Sequence, residues 1–244
     1  MTTEKDINVH TLYGGKVKLK FEKMKHLYTV EDKVIDGVTS VLGVIAKPAL
    51  VYWSANKAAE YIDLNLPVGE PIDEVKKKEL VEGAKKAHRT LLSVAGDYGT
   101  LLHELIEKYI KDQPYKEPVN DRLKTSFEDF KKWVTDNKVE FKSCERKVYS
   151  QKYGYAGTLD FTAMVNGKNV IGDLKTSSGI WDEMWLQLAA YIQALTEEFP
   201  DQAIDHSVII RCGKDGSFEV KEGGEFDKNI GAFLGALTLY RRMK

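Results

Sequence analysis

The dipeptide Asn166-Gly167, set between two alternating runs, constrains this chain more than any other local feature. Both residues accept positive φ, which a two-residue hairpin turn of the primed type requires. That turn makes Val165 and Lys168 a facing pair, and counting back along both arms puts Asp160 opposite Asp173. Lys175 follows two residues later, one strand period, so its side chain shares the face of Asp173. Like charges facing each other across a ladder cost stability. Two readings follow: solvated aspartates with Lys175 as a surface salt bridge, or a set built to hold a cation and a reacting phosphate.

The preceding segment extends the second reading. Residues 139–149 alternate as a strand, and Gln151-Lys-Tyr-Gly154 connects them to the strand that begins at Ala156. A symmetric connection puts Glu145 opposite Asp160, so Glu145, Asp160 and Asp173 form a row across three strands. Hard divalent cations, Mg²⁺ or Mn²⁺, take one or two carboxylates, with water and substrate phosphate completing the shell. His103 stands near the start of a helix expected from Thr100 to Lys111, with Glu107 one turn further on the same face. A neutral imidazole ligates Mn²⁺, although a lone helical histidine is more often a packed or solvated residue. The His-Glu pair has no second histidine one turn later, which excludes a zinc-protease helix. Gln187 and Tyr191 lie four apart on a helix expected over 181–198, beside its apolar stripe of Trp185, Leu188, Ile192, Leu195 and Phe199.

Around these residues the pattern predicts strands over 17–21, 27–30 and 33–35, then helices over 38–45, 52–64 and 72–95. Gly96-Asp97-Tyr98-Gly99 is expected to break the last of these before the helix that carries His103. A helix over 119–137 precedes the strands, and a strand over 204–211, a short one over 217–221 and an amphipathic helix over 226–242 close the chain. The fold class is α/β: a central mixed sheet flanked by helices, residues 96–244, with a mostly helical N-terminal region, residues 1–95, folded over it; by analogy that region is expected to cover the cleft.

Composition narrows the function classes. The chain has 244 residues, 43% hydrophobic and 30% charged, ordinary values for a globular protein. No apolar run reaches membrane-spanning length, and Met-Thr-Thr-Glu-Lys-Asp lacks the apolar core of a signal peptide, so a cytoplasmic location is expected. Two cysteines, Cys144 and Cys212, are too few for a four-cysteine metal site. A net charge of −1 leaves any phosphate-binding surface to local clustering. Candidates are the lysines of the 72–95 helix, with Lys131, Lys132, Arg241 and Arg242; Tyr98 and Tyr155, on short loops beside the motifs, are candidates to stack on unpaired bases.

Taken in order, His103, Glu145, Gly157-Thr-Leu-Asp160, Gly172-Asp173-Leu-Lys175 and Gln187-x-x-x-Tyr191 resemble the motifs of the PD-(D/E)XK nuclease superfamily. The RecB-type branch, with its phage exonucleases and the mitochondrial genome maintenance exonuclease, is the most similar. The resemblance covers about residues 96–212, and Val38-Thr-Ser-Val-Leu with Trp53 also looks like phage members. Leu159 replaces the proline that names the motif, and the absence of cluster cysteines sets the chain apart from iron–sulfur members.

The resemblance implies a restriction-endonuclease-like core and a DNA exonuclease using one or two Mg²⁺ or Mn²⁺ ions. His103, Asp160, Asp173 and the backbone carbonyl of Leu174 would bind metal, with Glu145 as a further acid. Lys175 would orient or deprotonate the attacking water, and Gln187 and Tyr191 would steady the DNA. Its implied partners are single-stranded DNA or duplex ends and a recombination protein, in a bacterial or phage-infected cell.

Overall fold

The computed structural model describes residues 7–223 and 225–244, without the side chains of residues 94 and 95. Residues 1–6, where a leader was sought, lie outside the described residues. Four short strands open the chain: β1 (Ile7–Leu12), β2 (Val17–Glu22), β3 (Leu27–Val30) and β4 (Lys33–Gly37). Helices α1 (Val38–Leu42), α2 (Pro48–Asn65), α3 (Glu74–Ile110) and α4 (Asp121–Asp136) follow. Then come β5 (Glu140–Ser150), β6 (Tyr155–Val165), β7 (Lys168–Lys175), α5 (Asp182–Glu198), β8 (His206–Cys212), β9 (Phe218–Gly223) and α6 (Phe226–Met243).

The fold is α/β, with the strands in one mixed sheet. Its order is β1-β2-β3-β4-β6-β7-β8-β9, and β5 pairs with the other edge of β6. β4 runs parallel to the start of β6, through Asp36↔Tyr155 and Gly37↔Ala156. β7 pairs antiparallel with the far end of β6, from Phe161↔Gly172 to Val165↔Lys168. Residues 157–160 of β6 therefore lie in the gap between two partners on the same edge. Asp160 sits at the point where β7 parts from β6.

The hairpin forms as Asn166-Gly167 predicts, with φ of 49° and 82° at the two turn residues. The four-residue connection Gln151–Gly154 also holds the expected symmetry, with Ser150↔Tyr155 closing it. Rungs Cys144↔Phe161 and Arg146↔Leu159 bracket Glu145 and Asp160. Neither acid belongs to a regular rung, and Glu145 has a φ of 53°. Strand alternation would send Leu159 and Phe161 to the same side. Leu159 instead joins the core of α5 and α6 with Leu188, Ala190 and Phe233, while Phe161 meets Trp133 of α4 and Phe141. The strand turns over at Asp160.

The chain divides into two compact units, Met1–Ile45 with Leu102–Lys244, and Ala46–Leu101. The opening strands belong to the sheet, so the division does not fall at residue 95. The smaller unit consists of α2 and most of α3, with Leu80 and Ala84 buried. Three elements differ from the sequence pattern. β1 was not predicted: it is an edge strand in which Ile7 and Val9 stay exposed and only Leu12 is buried, so its ladder with β2, not burial, defines it. α2 begins at Pro48, which is the first residue of the helix rather than a separator. Gly96-Asp97-Tyr98-Gly99 does not break α3, which runs unbroken for 37 residues. Neither glycine takes positive φ, and an interior glycine costs a helix only about 1 kcal/mol relative to alanine.

Candidate metal centre

The last turns of α3 are anchored by Leu102 and Ile106, both buried, and this fixes His103 between them on the side of the sheet. His103, Glu145 and Asp160 converge, with one ligand atom from each within 4.8 Å of the others. The imidazole Nδ1 lies 4.0 Å from Asp160 Oδ1. Adjacent ligands of an octahedral Mg²⁺ stand about 3 Å apart, so the three side chains would draw in to close on an ion. Among the sequence candidates, Glu145 is thus in the trio, although its placement depended on the register of a loop.

Asp160 Oδ2 accepts the Leu174 amide at 2.6 Å. The carboxylate thereby takes the backbone donor that the ladder leaves free where β7 departs. The Leu174 backbone, whose carbonyl is expected as a metal ligand, lies beside the His103 imidazole and favours its protonated form, against the larger effect of burial.

Asp173 stands beside the trio rather than in it. It is buried, 1% exposed, and its Oδ2 is 2.5 Å from Lys175 Nζ. Lys175 also donates to Gln187 Oε1 at 3.2 Å, and Gln187 Nε2 donates to the Tyr191 hydroxyl at 2.9 Å. The Gln/Tyr pair thus fixes the lysine. Its amide bonds to Lys175 and Tyr191. Tyr191 is not beside the apolar stripe but inside the core, 2% exposed, its ring lying over Gly157, where a Cβ would come within 2.4 Å.

The electrostatics suit a bound cation. Burial raises the Asp160 carboxyl to about 7, reinforced by the charge of Asp173. Burial, then the charge of Asp160, raises Glu145. Burial lowers His103, so the imidazole is neutral and its lone pair is available. For Lys175, burial favours loss of the proton, but the charges of Asp173 and Asp160 outweigh it and the pKa is raised. Two buried carboxylates opposing each other's ionisation gain from any positive charge placed between them. The donor set of one imidazole and two carboxylates fits Mn²⁺ or Mg²⁺.

Other candidates go elsewhere. Tyr155 is buried, donates its hydroxyl to the Ala190 carbonyl at 2.9 Å and packs edge-on against Phe233; it is a core residue, not a base-stacking one. Tyr98 lies within α3, not on a loop, and is half-buried. Arg241 is held by Asp36 at 2.8 Å and by the carbonyls of Tyr153 and Gly154. Lys131 and Lys132 pair with Glu128 and Asp136 along their own helix. Cys144 and Cys212 are both free thiols.

One residue beside the site escaped the sequence reading. Lys147 is 9% exposed, with its ammonium 4.8 Å from the Phe21 ring centroid and 3.9 Å from Glu145 Oε2. Its spacing of two from Glu145 on one strand was the available signal, since that period puts both on one face.

No family model matches the chain, and no curated protein does. A solved structure described as the crystal structure of SSO0001 is 12% identical over 79% of this chain and 87% of its own, with a TM-score of 0.35. A likeness of that degree carries no argument about function. Among the described residues, no helix is long and apolar enough to cross a membrane.

Proposed function

We propose that the protein is a metal-dependent DNA exonuclease with a restriction-endonuclease-like core of the PD-(D/E)XK type. The observation that carries this reading is the convergence of His103, Glu145 and Asp160 beside a lysine clamped by Asp173 and Gln187. His103, Glu145 and Asp160 would hold Mg²⁺ or Mn²⁺, with Asp173 close enough to add its charge. Such an ion, when bound, supplies Lewis acidity and lowers the pKa of a coordinated water.

The protein's own groups do the rest. Lys175, held between Asp173 and Gln187, would orient the water and neutralise charge developing on the phosphate. Gln187 and Tyr191 hold the ammonium in place. His103, set between the buried Leu102 and Ile106, would present its imidazole to the ion. Substrate would be single-stranded DNA or a duplex end, cut in a bacterial or phage-infected cell alongside a recombination partner.

Linear and covalently closed circular DNA incubated with Mg²⁺ or Mn²⁺ test this directly. Loss of nucleotides from the linear form alone is expected, and Lys175→Ala should lower the rate at least about 10³-fold with DNA binding retained. Cleavage of the circle would convert the reading to an endonuclease with the same site. Binding without cleavage of either form would leave a nucleic-acid-binding member of the fold.

A further inference from the structure

Lys147 has surroundings that a structural lysine does not need. It lies on β5 one strand period beyond Glu145, in the interior, and its nearest carboxylate is not in tight contact. Its ammonium stands 3.3 Å from the Glu145 backbone carbonyl and 3.9 Å from Glu145 Oε2, with the Phe21 ring closing the other side. Burying a lysine side chain is costly unless its charge is compensated. The charge it faces is that of the candidate metal centre.

Both oxygens that Lys147 approaches belong to Glu145, and both are of the hard type that a divalent cation prefers. A second ion bridging outward from Glu145 would need them. The ammonium stands in its place. The charge balance points the same way. One divalent ion neutralises Glu145 and Asp160, Lys175 offsets Asp173, Lys111 offsets the nearby Glu107 with which it pairs, and Lys147 leaves the centre with a single positive charge, matching one phosphodiester. A second ion beside Lys147 would leave the centre with three positive charges, confined where burial makes each unpaired charge costly.

We infer that Lys147 is a positioning residue that substitutes for a second cation, so the centre takes one divalent ion per chain. This rests on the metal-centre reading above and goes beyond it by fixing the number of ions and the residue responsible. The test is Mn²⁺ binding to the full chain without DNA, followed by calorimetry and by the electron paramagnetic resonance signal of free Mn²⁺. The wild type should bind one ion. Lys147→Met, which keeps the length and removes the charge, should bind two. Lys147→Arg, which keeps the charge, should bind one.

If Lys147→Met does not fold, as judged by circular dichroism, Lys147→Gln takes its place with the same expectation. One ion on both the wild type and the neutral variant, or two on the wild type, would overturn the role of Lys147 and leave the metal centre standing. No ion on the wild type, or equal binding by Asp160→Asn, would instead remove the metal centre itself, and the inference with it.

Discussion

Asp160 is asked to do two things at once. Its Oδ2 satisfies the Leu174 amide, while the rest of the carboxylate faces His103 and Glu145. The first contact favours the ionised form, but burial and Asp173 outweigh it and carry the pKa to about 7. An unfolded aspartate titrates near 4, so between about 4 and 7 the folded chain binds more protons than the unfolded one. This group's contribution to stability is therefore full below about pH 4 and is lost as pH rises through 7. Asp160→Asn, whose amide oxygen can still accept from Leu174, removes that loss. In urea denaturation with a chelator, its stability relative to wild type should grow by about 1–3 kcal/mol between pH 5 and pH 8. A constant or shrinking difference would contradict the charge assignment.

At the scale of elements, the β6–β7 hairpin was legible because its determinants are local. Asn166-Gly167 sets the turn, the turn sets the register, and the register brings the acids of β6 and β7 together before any tertiary contact is considered. The packing over it was not legible. Gly172 reads as part of a motif, yet its reason in the fold is steric: a Cβ there would come within 1.9 Å of the Phe161 ring directly across the ladder. Gly167 has open space around it but a φ of 82°. Gly172→Ala should thus cost up to about 3 kcal/mol through overpacking, and Gly167→Ala about 1–2 kcal/mol through backbone strain. Equilibrium unfolding of both variants checks the order; a larger loss at Gly167 would show that Phe161 moves aside freely.

Across the whole molecule, what the sequence could not convey was which polar side chains turn inward. Tyr155 and Tyr191 carry hydroxyls and sit beside motif residues, features shared by surface aromatics, and only the arrival of α5 and α6 buries them. Lys147 resembles any strand lysine until Phe21, from a hairpin more than a hundred residues earlier, covers it. The edge strand β1 and the unbroken α3 were missed for the opposite reason. Local signals there are weak, a few exposed side chains in one case and two tolerated glycines in the other, and the surrounding ladder and helix decide. The acidic row and the lysine were legible because alternation along paired strands is the most rigid rule the sequence obeys.

That rule fails at one place, where β6 turns over. Outward of it, the hairpin packs through Phe161 on Trp133; inward, Leu159 belongs with Leu188 and Phe233. Ile171, across the ladder from Thr162, ties the hairpin to that inner core as well, so what divides the two halves is the changeover itself, where neither acid joins a rung. An ion gripping Glu145 and Asp160 would act as a rivet through the changeover. On addition of Mn²⁺, backbone amides on both sides, residues 155–159 and 161–172, should exchange more slowly and to a similar degree. Protection confined to one side would mean that the halves breathe independently even when pinned. If the rivet holds, the cation that equips the protein for chemistry also makes its two halves open as one.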